Sequence, residues 1–165
     1  MRYYDRYDGP QGPMLLAATE RGVAGVYFRG QKHAPERSGW QRAPANPHLR
    51  KAKRQLEEYF AGKRRRFELA LDPQGTDFQK SVWKAISTVG YGETISYGEL
   101  ARRAGAPGSA RAAGAATGRN PLGIVVPCHR IKGANGSLTG YAGGLDRKRA
   151  LLALEGVLSG ELLPG

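Results

Sequence analysis

Residues 94–118, TISYGELARRAGAPGSARAAGAATG, decide how the chain is read. Tyr97, Leu100, Ala101 and Ala104 fall on related faces, so residues 94–104 are expected to form a short helix. Gly105-Ala106-Pro107-Gly108 ends it in a turn, and Ser109 is placed to cap a second helix running to about Gly118. Two short helices across a tight Gly-containing turn make the helix-turn-helix pattern, which helical hairpins with no nucleic-acid role also share. The composition of the second helix adds to this. Arg111-Ala112-Ala113-Gly114-Ala115-Ala116 carries almost none of the Asn, Gln and Arg side chains that read base edges. Small residues allow close approach to a groove floor without choosing a sequence. Arg111, alone and early on the helix, is suited to fill the space left by an extruded base and stack on its neighbours.

Upstream, Gly75-Thr76-Asp77-Phe78-Gln79 matches a capping box, with Thr76 as N-cap and Gln79 reaching back. Phe78, Val82, Ala85, Ile86 and Val89 give the helix that follows one apolar stripe. Asp72-Pro73-Gln74-Gly75 is a turn and the expected boundary, which divides the chain into residues 1–72 and 73–165. In the first part, residues 14–18 and 23–28 read as two strands joined by a turn, and residues 29–45 as a polar loop. A helix then starts at Asn46 as N-cap with Pro47 in its first turn, and stops before Gly62. Its buried face is expected to be Leu49, Ala52, Leu56, Tyr59 and Phe60. After the basic run 63–66, residues 67–71 alternate like an edge strand. The fold class is therefore α/β of the α+β kind, a small sheet-plus-helix domain followed by a mostly helical one.

Lys and Arg total 26 against 14 Asp and Glu, a formal net charge of +12. Such an excess favours polyanionic partners, because each phosphate neutralised releases counterions. A basic protein with no nucleic-acid role has the same balance. No stretch is long and apolar enough to span a bilayer, and Met1-Arg2-Tyr3-Tyr4-Asp5 lacks the apolar block of a signal peptide. A cytoplasmic protein with no membrane role is expected. The one cysteine has no partner for an internal disulfide, which fits a reducing compartment.

That cysteine follows an apolar run read as a brief strand, Ile124-Val125-Val126, in Pro127-Cys128-His129-Arg130. A lone cysteine beside an apolar strand is often an inert core residue. His129, however, can lower the thiol pKa or relay its proton, since the thiolate is the nucleophile. Neighbours on a strand face opposite ways, so contact needs a turn or a water, and Pro127 favours such a departure. Asn120-Pro121 supplies a polar turn residue able to brace the site.

The segment 124–131 closely resembles the active-site motif of the O6-alkylguanine-DNA alkyltransferases, or methylated-DNA–protein-cysteine methyltransferases. The resemblance runs from Gly75 to Gly156 and includes Thr76-Asp77-Phe78-Gln79, Ile95-Ser96-Tyr97-Gly98, Ala110-Arg111-Ala112, Asn120-Pro121, Gly140-Tyr141-Ala142-Gly143-Gly144 and Leu154-Glu155-Gly156. It implies an RNase H-like N-terminal domain and a C-terminal domain that binds DNA and transfers the alkyl group. By resemblance, Cys128 takes the alkyl group from O6-alkylguanine, and from O4-alkylthymine, in duplex DNA after base flipping. His129 is its base through a water, Glu155 orients His129, and Asn120 stabilises the turn. Tyr97 supports flipping and bonds the base, while Arg111 replaces the flipped nucleotide. Ser109, Ala112 and Ala113 accompany Arg111 on the DNA side. Tyr141, Ala142, Ile131 and Val126 line the alkylguanine pocket. Where some relatives carry serine, Ala142 leaves only its backbone N–H for O6.

The resemblance implies no cofactor and no obligatory protein partner. Zinc in some members' N-terminal domain needs Cys ligands, and His33 and His48 are the only other histidines, so no metal is expected. Asn135-Gly136 reads as a hairpin turn and residues 146–155 as the last helix, with Arg147, Lys148 and Arg149 either near phosphate or on a solvated face. The alternative function is a lesion-sensing DNA-binding protein that flips the base and accepts nothing.

Overall fold

In the computed structural model, residues 1–133, 136 and 140–157 are described. The Asn135-Gly136 hairpin falls largely outside them. The chain forms two compact units, one from Met1–Gln74 with Pro121–Val125, the other from Gly75–Asn120 and the described residues from Val126 onward.

The first unit is a four-stranded sheet of order β3-β2-β1-β4 carrying one helix. Strands β1 (Tyr3–Gly9), β2 (Gly12–Ala18) and β3 (Val23–Phe28) are antiparallel neighbours, and the short β4 (Gln41–Arg42) lies parallel to β1. The sequence reading leaves β1 unassigned because its alternating residues are tyrosines and charges. Its buried positions are Asp5 and Tyr7. Asp5 tolerates burial because Lys53 stands 3.1 Å away and Arg42 3.7 Å away.

Helix α1 (Pro47–Phe60) begins where expected: Asn46 Oδ1 accepts from the backbone N–H of His48 and Leu49, and Gly62 takes the left-handed turn after its end. Leu49, Ala52, Leu56 and Tyr59 are buried, and Gln55 takes the place expected for the half-buried Phe60. Gln55 also explains why residues 67–71 form no ladder. Its amide donates to the Glu68 carbonyl and accepts the Glu68 N–H, which leaves only an isolated bridge from Leu71 to Val23. The alternation produced extended backbone, but a side chain satisfied it.

The second unit is mostly helical: α2 (Asp77–Ile86), α3 (Tyr97–Arg103), α4 (Ala110–Gly118) and α5 (Leu145–Leu154), with a parallel pair of short strands, β5 (Ile95–Ser96) and β6 (Ile131–Lys132). The Thr76–Gln79 capping box is complete. Val82, Ala85, Ile86 and Val89 are buried, but Phe78 in the first turn is exposed. Helix α3 starts three residues later than expected, since Ile95 and Ser96 pair with β6 and Ser96 Oγ caps the helix at Glu99 N–H. Trp83 ties α2 to α4 by donating from Nε1 to the Ala116 carbonyl at 2.8 Å. Ser109 occupies the N-cap position of α4 but makes no capping bond with its side chain, contrary to expectation.

Candidate active site

Residues 124–126, expected as a strand, are instead a chain of tight turns. Leu122 makes an isolated parallel bridge to Val26 of β3. Val125 N–H then bonds the Gly123 carbonyl at 2.7 Å around Ile124, whose φ is +69°. This γ-turn is rare for a β-branched residue and stores strain of about 1–3 kcal/mol. A second γ-turn of the common hand follows, with Cys128 N–H on the Val126 carbonyl at 2.8 Å around Pro127 (φ −81°, ψ 64°). The chain then enters one 3-10 turn, Cys128–Arg130. Pro127 fits because its ring sets the φ this turn needs. Asn120 Nδ2 bonds the Val126 carbonyl at 2.9 Å, and its side chain also bonds the thiol. Asn120→Ala should therefore lower stability by about 0.5–1.5 kcal/mol, because the buried Val126 carbonyl keeps the Cys128 N–H but loses its second donor, read as a denaturation midpoint.

The 3-10 turn sends Cys128, His129 and Arg130 to different partners, and all three are buried. His129 Nε2 lies 2.8 Å from Glu155 Oε2. Arg130 grips the same carboxylate with a fork, Nε to Oε1 at 2.8 Å and Nη2 to Oε2 at 2.9 Å, and donates from Nη1 to the Val89 carbonyl at 2.7 Å. Glu155 is the C-cap of α5, so helix geometry fixes where this carboxylate stands.

These partners set the protonation states. Although burial opposes it, hydrogen bonds from His129 and Arg130 hold the Glu155 carboxyl well below the usual carboxylate range. Burial pushes His129 down, so its imidazole is neutral. The carboxylate accepts only, which assigns the proton to Nε2 and leaves a lone pair on Nδ1. His129 Nδ1 is buried and makes no hydrogen bond. Burial raises the Cys128 thiol, against opposing contributions from Asn120, Lys148 and Tyr141. Of the two roles the sequence offers His129, lowering the thiol pKa or relaying its proton, the first is not met. Desolvation wins instead, and the thiol rests protonated.

Comparison with known proteins follows the same division of the chain. Residues 2–73 match the ribonuclease-like domain of 6-O-methylguanine DNA methyltransferase, and residues 77–157 match its DNA binding domain. The chain belongs to the 6-O-methylguanine DNA methyltransferase family. It is 50% identical over 155 residues to the methylated-DNA–protein-cysteine methyltransferase of Methanosarcina acetivorans, covering 93% of this chain and 98% of that protein. Identity to the Mycobacterium tuberculosis protein of the same name is also 50%, covering 94% and 93%. Among solved structures, M. tuberculosis OGT in complex with DNA superimposes with a TM-score of 0.87 at 47% identity, covering 99% of this chain and 96% of that one.

Within this methyltransferase fold, Val126 and Ile131 are buried beside the cysteine turn, and Tyr141 and Ala142 are half-buried. Tyr97, at the first position of α3, lies against Gly114 of α4, where an added methyl would stand 3.6 Å from its ring. Arg111 and Ala112 are exposed on α4, whereas Ala113, expected beside them on the DNA side, is fully buried in the core. Two site residues escaped the sequence reading. Arg130 stands in the cysteine motif without an assigned role, and the 3-10 turn aims it at Glu155. Lys148, expected near phosphate or solvent, has no exposed surface and donates to the Ile131 carbonyl at 2.6 Å and the Gly140 carbonyl at 3.4 Å. Burial lowers its pKa to about 8.

Proposed function

We propose that this chain repairs DNA by direct reversal, moving the alkyl group of O6-alkylguanine in duplex DNA onto Cys128 and keeping it. The observation that carries the reading is a protonated thiol on a braced turn, followed at once by a neutral histidine whose free lone pair is backed by a buried carboxylate. The transfer is a displacement at carbon. A bond forms between Cys128 Sγ and the alkyl carbon as the bond from that carbon to guanine O6 breaks. The bonding pair leaves with the base, and the thiol proton is balanced by the one guanine regains.

His129 takes that proton at Nδ1 through a water, and Glu155 holds the ring and the imidazolium that forms. Asn120 fixes the turn. Tyr97 supports the flipped base and donates to it, and Arg111 fills the space that base leaves in the duplex. Ser109 and Ala112 face the duplex beside it, and Tyr141, Ala142, Ile131 and Val126 surround the base. A thioether has no leaving group to restore the thiol, so each molecule acts once. The presence of Cys128 weighs against the lesion-sensing alternative. O4-alkylthymine fits the same displacement, with residues 1–72 as the ribonuclease-like part and 73–165 as the reacting part of a cytoplasmic monomer.

Intact mass and peptide mapping after incubation with a duplex carrying one O6-methylguanine test this. One methyl group on the Cys128 peptide per molecule is expected, with no second round on excess duplex. A protein that binds the lesion and stays unmodified overturns the transfer.

A further inference from the structure

Arg130 is a buried cation that the displacement itself does not use. Its fork covers both oxygens of Glu155, so the carboxylate that holds His129 Nε2 is shared between two side chains. The guanidinium is held on its other sides as well. Nη1 donates to the Val89 carbonyl, and the Tyr91 ring lies against it, 5.8 Å from Cζ. Tyr91 is itself tied to the end of α5, its hydroxyl donating to the Leu154 carbonyl at 3.3 Å, and Gly92 N–H donates to Glu155 Oε1 at 3.4 Å. One positive charge is thereby fixed against the carboxylate.

A histidine on an unshared buried carboxylate draws a proton and closes as an ion pair, because each charge is the other's only relief from burial. Such an imidazolium has no lone pair for a thiol proton. We propose that Arg130 is a positioning residue that keeps His129 a free base at rest, by taking up the Glu155 charge that would otherwise hold a proton on the ring. The charge count supports this. Among the described residues, the charged groups acting on the ring are Glu155 and Lys148 from α5 and Arg130 from its own turn, where Cys128 precedes it. Glu93, on the segment after α2, is turned away, its carboxylate accepting Gly90 N–H at 2.9 Å. A resting imidazolium would therefore join two cations against one buried anion. Burial disfavours it, Glu155 favours it, and Arg130 and Lys148 oppose it by charge. The ring takes a proton only as Cys128 gives one up, when the thiolate supplies the missing negative charge. The inference rests on His129 acting as the base of the proposed transfer.

Single-turnover transfer rates across pH test this, read as the ratio of variant to parent at each pH so that the titration of Lys148, common to both, cancels. Arg130→Met should bring in an acid limb about one to two units above the parent's, so that its deficit near pH 6 exceeds that near pH 9 by about tenfold or more. Arg130→Lys keeps a cation beside Glu155 without the fork, and should be slower by a factor that does not change with pH. A level ratio in Arg130→Met, or the same slope in Arg130→Lys, makes Arg130 a strut and overturns the proposal. If Arg130→Met does not fold, the parent decides. Nitrogen NMR of its His129 ring should show one protonated and one bare nitrogen below the free imidazole value of about 6.5. A ring doubly protonated there overturns the proposal as well. That spectrum needs no lesion, so failure of transfer in the parent strikes the repair reading and leaves the state of the ring standing.

Discussion

Glu155→Gln should slow methyl transfer by about 10²–10⁴-fold and destabilise the fold by about 3–5 kcal/mol. The carboxylate accepts from His129 Nε2 and from both arms of the Arg130 fork, all within 2.9 Å and buried. An amide presents two donors where three donors already converge. One of them must turn away, and Arg130 keeps a buried charge without its counter-ion. His129 loses both its orientation and the charge that supports an imidazolium, so proton removal from the raised thiol slows. Single-turnover quench on lesion duplex reads the first effect, and chemical denaturation reads the second. Transfer within twofold of the parent would remove Glu155 from the mechanism.

The pH behaviour gives an independent check. Glu155 is held below its unfolded value of about 4.3, so the folded state binds fewer protons there. Its contribution is complete above that pH and is lost as pH falls. The stability gap between parent and Glu155→Gln should therefore be widest near neutrality and shrink in acid. Burial of neutral His129 acts in the same direction, because the unfolded chain gains its proton first as pH falls below about 6.5.

Where the chemistry was local, the sequence was legible. The Asn46 cap, the Thr76–Gln79 box and the Pro127 departure from regular structure each rest on residues within a few positions of one another, and all three are present. Tertiary substitution defeated the rest. Gln55 satisfied residues 67–71 from a helix, and Asp5 was buried because Lys53 and Arg42 met it from other elements. Ile124 was drawn into a left-handed turn by a run that pairs with β3, which no propensity of Ile-Val-Val foretells. Cys128 and His129 stand out from the residues alone as a lone thiol beside an imidazole, whereas the role of Glu155 follows only from resemblance. Their linkage through Arg130 required the coordinates.

Lys148→Met should slow transfer by about 10²-fold and move the titration of the sole thiol to higher pH. The ammonium sits without exposure between the carbonyls of Ile131 and Gly140, and so ties β6 to the segment that leads to Tyr141. Loosening that tie misplaces pocket groups, and a misplacement near 1 Å costs on this scale. Its charge has a separate effect. Among the groups that oppose the burial of Cys128, Lys148 supplies positive charge, so removing it leaves desolvation less opposed. The pH dependence of alkylation by a small electrophile separates the two, because Cys128 is the one thiol in the chain. A purely positional role slows transfer and leaves that profile where it was. Stability adds a sign. Folding lowers Lys148 from about 10.4 to about 8, so the unfolded state holds more protons between these values. The parent should gain stability from this group as pH rises from about 8 toward 10, a rise that Lys148→Met abolishes. If the variant keeps the rise and the thiol profile, the lysine is a strut whose charge the thiol does not feel.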